Sequence, residues 1–92
     1  MYDIRRSHQF KKSYKRISKS GIFEQEIFDT ITSFLVMGKE LPKQYYDHVL
    51  RGDSFGLREC HISGDCLFIY EINHNERFVR FVNIGNHTNL FE

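Results

Sequence analysis

The first twenty residues read as a short polar start followed by one amphipathic helix. Phe10, Tyr14 and Ile17 recur at i, i+4 and i+7, which is one face of a helix. The lysines and arginines between them fall mostly on the opposite face. Ser7 stands where an N-cap hydroxyl can accept an orphan N–H of the first turn. Gly21 is the expected stop, because glycine tolerates the left-handed cap conformation. A second helix is expected from Phe23 to Met37, with Phe23, Ile27, Ile31, Phe34 and Leu35 on its stripe, Phe28 widening it and Gly38 closing it. After Pro42 the period changes. Residues 55–62, 66–73 and 77–84 are three runs rich in Phe, Ile, Val, Leu and Tyr, separated by Ser63-Gly64-Asp65 and by Asn73-His74-Asn75-Glu76. Short spacing and turn residues favour antiparallel hairpins. Tyr2–Arg5 adds a short edge strand and residues 85–92 one more turn. The expected fold is α+β in the order β-α-α-β-β-β, an antiparallel sheet covered on one face by two N-terminal helices.

At 92 residues the chain makes one domain, residues 1–92, with no repeat or linker. With 40% hydrophobic and 15% aromatic residues it has enough apolar side chains for a core, which excludes a disordered chain. Its longest apolar run, Cys66–Tyr70, is far short of the ~18 residues of a membrane span. The N-terminus is basic and polar, unlike a secretory signal, so the expected compartment is the cytoplasm. There Cys60 and Cys66 are expected as reduced thiols, not as a disulfide.

A net charge of +1 hides a strong asymmetry. Residues 1–20 carry seven basic side chains against Asp3 alone, and residues 21–92 carry six basic and eleven acidic ones. The positive segment, with Lys11, Lys12, Lys15 and Arg16, suits a polyanion such as RNA or an acidic protein surface.

No phosphate-cradling glycine loop, nucleophile elbow or HExxH motif is present. The residues that can move protons near neutral pH are histidines. In an antiparallel meander His61, Asp65 and His87 return to one rim of the sheet, and His48 joins them if its loop folds back. One imidazole can then take a proton while another gives one. A metal site is the competing use of such residues, but no element carries them at close ligand spacing. Phe91 either packs on the sheet or offers a face for stacking a base. Arg58 is either one half of a packed ion pair or an electrostatic group beneath the rim.

Four motifs in order carry a resemblance across almost the whole chain. They are Asp47-His48-Val49-Leu50-Arg51-Gly52, Leu57-Arg58-Glu59-Cys60-His61-Ile62, Asp65-Cys66-Leu67-Phe68-Ile69-Tyr70 and Ile84-Gly85-Asn86-His87-Thr88-Asn89-Leu90-Phe91. Together they resemble the YafQ branch of the RelE-like toxins, and the basic first helix with Phe10-Lys11-Lys12 fits as well. The resemblance implies a microbial-ribonuclease-like domain and a type II toxin that cuts mRNA on the ribosome without a cofactor or metal. It implies a DinJ- or RelB-like antitoxin as cognate partner, no membrane partner and no DNA binding by the toxin alone. It places the acid–base set on His48, His61, Asp65 and His87 and the terminal aromatic on Phe91, and the mechanism expected with it sets Arg51 at the phosphoryl oxygens and the basic helix on RNA phosphates. Relatives often carry tryptophan after the acid, where this chain has Cys66. Two other readings stay open: a non-catalytic RNA- or protein-binding module, and a gyrase-type poison, which would not need histidines at the rim.

Overall fold

The computed structural model describes residues 1–50 and 56–91, and the side chains of all of these except Asn89 and Phe91. Strand β1 (Asp3–Arg6) leads into helices α1 (His8–Ile17) and α2 (Gln25–Val36). A 3-10 turn over Lys43–Tyr45 then precedes strands β2 (His48–Val49), β3 (Arg58–Ser63), β4 (Cys66–Asn73) and β5 (Phe78–Asn86) and a last helix, α3 (His87–Phe91). The five strands form one sheet in the order β1-β5-β4-β3-β2.

The strands β2 to β5 pair antiparallel, as their short turns require. The N-terminal strand departs from that rule. β1 lies parallel to β5, so the sheet is mixed. A parallel neighbour needs a long crossover, and here both helices and the β2–β4 strands lie between the two. Ser7 fastens the junction. Its hydroxyl accepts from Phe10 N at 2.9 Å as the cap of α1 and donates to the Val82 carbonyl at 2.7 Å.

Helix α1 ends at Ile17, before Gly21. Its cap, Ser18, is right-handed and donates its N–H to the Tyr14 carbonyl, and Gly21 turns the chain three residues later at φ +80°. Helix α2 starts at Gln25, two residues after Phe23. Phe23 still packs on the core from outside the helix, whereas Phe34, expected on the stripe, is only half-buried and lies outside the core cluster. Gly38 is required twice over. Its φ is +70°, and a Cβ there would stand 2.9 Å from the Tyr2 ring.

One core joins the helices to one face of the sheet. Phe10, Phe28, Phe68 and Phe81 form its centre, with ring centroids 5.0–6.2 Å apart and mostly crossed. Crossed rings set the positive edge of one against the negative face of another. Cys60 and Cys66 are free thiols within this core. Burial pushes the Cys66 thiol up to about 11 and Cys60 higher still. The opposite face of the sheet, by strand alternation, carries Glu59, His61, Leu67, Ile69 and Glu71.

Candidate active site

The chain after Pro42 folds back onto the sheet edge. The 3-10 turn ends at Tyr46, which adopts a left-handed backbone at φ 52° and ψ 41°. That turn delivers Asp47 and His48 to opposite faces of the edge. His48 pairs with Glu59 in register and Val49 with Arg58. Strand β2 is therefore the device that brings His48 to His61.

On the helix-covered face, Asp47 accepts from Arg58 Nε and Nη2, the latter at 2.9 Å, and from the Tyr70 hydroxyl. Hydrogen bonding to Asp47 outweighs the opposing burial and raises Arg58 further above the ordinary guanidinium range. Burial first, then the bond to Asp47, pushes the Tyr70 hydroxyl well up. Arg58 is thus half of a packed ion pair, which decides between the two roles open to it.

On the other face, His48 lies between two acceptors. Its Nδ1 is 2.6 Å from the Tyr46 carbonyl and its Nε2 is 3.2 Å from Glu59 Oε1. A carbonyl can only accept, so Nδ1 carries a proton. The Glu59 carboxylate faces the ring's other nitrogen, Nε2. Glu59 is buried, at 7% exposure, while the His48 side chain is about half exposed. The His61 ring lies 6.4 Å from that of His48 and 5.5 Å from that of Tyr46.

Register places the remaining pair. Cys66 lies opposite both Ser63 and Asn86, so Asp65 and His87 stand at the same end of the sheet. His61 and Gly85 flank Leu67 on either side, which separates them by two strand spacings, roughly 10 Å. Asp65 and His87 are both exposed. Arg16, at the end of α1, lines a hollow with Asp65, Cys66 and Asn86. Lys11 and Lys15 line another with Arg6 and Asp29, and Lys12 is exposed. Arg51 and the Phe91 side chain lie outside the described residues. So does Phe55, the expected start of the first long strand; the described strand begins only at Arg58, after Gly56 and Leu57. Sequence reasoning missed Glu59 and Tyr46. Glu59 was within reach, since it is two residues before His61 and so on the same strand face.

Among the described residues no group of three His, Cys, Asp or Glu side chains is spaced to hold a metal ion. No helix among them is long and apolar enough to cross a membrane.

The family model for the bacterial toxin YafQ of type II toxin–antitoxin systems matches residues 2–92. The chain belongs to the YafQ toxin family. The mRNA interferase toxin YafQ of Escherichia coli K12 is 30% identical, over 97% of this chain and 95% of that protein. The YafQ fold is shared with a metal-bound toxin from Helicobacter pylori, at TM-score 0.90 and 32% identity, covering 99% of this chain and all of that one. It is shared also with the toxin in the E. coli DinJ–YafQ complex, at TM-score 0.86 and 28% identity over the whole of both chains. The α+β architecture and the membership inferred from the four motifs both hold.

Proposed function

We propose that this type II toxin is an mRNA interferase of the cytoplasm, cutting mRNA held on the ribosome with the histidine face as its active site. The observation that carries the reading is the cluster His48, Glu59 and His61 on the open face of the sheet, with Asp65 and His87 at the same end. The E. coli relative, an mRNA interferase by name, supports it.

The chemistry that fits is transfer of the phosphoryl bond within the RNA. The 2′-oxygen attacks the adjacent phosphorus and its proton passes to His61. The bond to the 5′-oxygen breaks, and His87 protonates that oxygen as it leaves. The products are a 2′,3′-cyclic phosphate and a 5′-hydroxyl. His48, held between the Tyr46 carbonyl and Glu59, meets the phosphoryl oxygens, where preorganised groups are most effective. Asp65 and Arg51 complete the set, the first steadying a protonated imidazole at the rim and the second meeting phosphate. The exposed Lys11, Lys12, Lys15 and Arg16 meet ribosomal RNA phosphates or, when the toxin is silenced, an acidic stretch of a DinJ-like antitoxin such as that in the E. coli complex.

The test is induction of the wild type, His61→Ala and His87→Ala, followed by primer extension on cellular mRNA. General acids and bases contribute about 10²–10⁴-fold each, so cuts should be visible with the wild type and lost with either variant while both remain folded. Cutting by a folded His87→Ala at the wild-type rate overturns its assignment. Growth arrest by the wild type without cuts overturns the interferase reading.

A further inference from the structure

We propose that Tyr46 is the platform on which a base of the mRNA stacks beside the scissile phosphate. The inference rests on the interferase reading and adds a substrate-binding residue to it. Tyr46 is 67% exposed, and it is the one aromatic among the exposed large apolar side chains of the described residues. The other such side chains, Met1, Ile22, Met37 and Val49, are aliphatic. Its position is not that of a stray surface residue. The ring stands 5.5 Å from that of His61 and at 65° to it. Two crossed rings engage at most one face of Tyr46, which leaves the other for a third ring.

The backbone fixes where that ring stands. A non-glycine residue in the left-handed region is uncommon, and such residues gather at ligand sites where the surroundings hold them in place. Tyr46 is held by its N–H on the Lys43 carbonyl at 3.0 Å and by its own carbonyl on His48 Nδ1. One residue therefore orients His48 through its main chain and borders His61 through its side chain. Single-stranded RNA is commonly recognised by splayed bases stacked on aromatic rings. Stacking tolerates any base, because every base has a π-face. Tyr46 accordingly contributes to holding the substrate and not to the choice of sequence.

The experiment uses ribosomes programmed with a short mRNA and follows single-turnover cleavage against toxin concentration. Tyr46→Leu keeps the bulk, the Cβ and the backbone contacts but removes the π-face. It should raise the concentration for half-maximal cleavage by about 5–150-fold, the range measured for base–aromatic stacking. The rate at saturation and the melting temperature should stay near the wild type, and Tyr46→Phe and Tyr46→Trp should restore binding. An unchanged concentration dependence for Tyr46→Leu overturns the platform. So does a loss that Tyr46→Trp and Tyr46→Phe fail to restore, which would mark the side chain as structural. A wild type that leaves the mRNA whole overturns the interferase reading and the platform with it, whereas cutting by wild type and Tyr46→Leu alike overturns the platform only.

Discussion

Asp47 and His48 are neighbours in sequence, and each reaches across to a side chain of strand β3. Asp47 meets Arg58 on the helix-covered face, and His48 meets Glu59 on the open one. The first pair is closed. Arg58 places two nitrogens on one carboxylate, the Tyr70 hydroxyl adds a third bond, and little is left for a ligand. The second pair is open. Glu59 is buried, but the imidazole is half exposed beside a second histidine and an exposed tyrosine. The Asp47-His48 step thus anchors the chain on one face and presents an imidazole on the other. The chemical difference follows from geometry. A fork of donors on a carboxylate satisfies both partners, while a ring held between two acceptors keeps an edge toward solvent.

The comparison breaks most visibly at the histidines. His61→Ala and His87→Ala should each lower cleavage by about 10²–10⁴-fold with little change in melting temperature. The anchor should behave in the opposite way. Asp47→Ala leaves a partly buried guanidinium and a buried tyrosine hydroxyl without their acceptor, at a cost of about 1–3 kcal/mol. In a chain of this size that lowers the melting temperature by roughly 5–20 °C, measurable by circular dichroism. Activity should fall as well, because β2 carries His48. An Asp47→Ala protein as stable as the wild type would show that the anchor is dispensable.

Much of this arrangement was legible in the sequence. The Ser7 cap, the Phe10–Tyr14–Ile17 stripe and the three apolar runs are local patterns, and local patterns survive folding. The meander alone brought His61, Asp65 and His87 to one end, since strands joined by short turns must alternate in direction. The rest depends on contacts between distant residues. β2 is two residues long and exists only by pairing with β3, so it has no period to read. The left-handed turn at Tyr46 carries no glycine to signal it. The parallel placement of β1 rests on bonds from its flanks to β5, including Ser7 N to the Phe81 carbonyl at 2.9 Å. Arg58 was ambiguous because its partner, Asp47, is eleven residues away on the returning loop.

A smaller effect sharpens the contrast between the two faces. The open face meets solvent at His48, while the covered face buries its thiols. Both cysteines should resist alkylation at pH 8 in the folded chain and react once it is denatured. Because burial raises the folded pKa, to about 11 for Cys66, the unfolded chain loses the proton first. The thiol contribution to stability is therefore full below about pH 8.5 and is lost as the pH climbs from there toward the folded value. Melting temperatures measured from pH 7 to 10 should fall at the alkaline end. Rapid native alkylation at pH 8 would show that the core opens at these strands.

The central claim is that side chains on the open face pass protons while the RNA's own 2′-oxygen makes the cut. The most direct test is the chemistry of the ends left on mRNA cleaved by the wild-type toxin on programmed ribosomes. A 5′-hydroxyl on the downstream fragment and a 2′,3′-cyclic phosphate on the upstream one are the predicted result. A 5′-phosphate with a free 3′-hydroxyl would mean that water attacked the phosphorus, and would contradict the account.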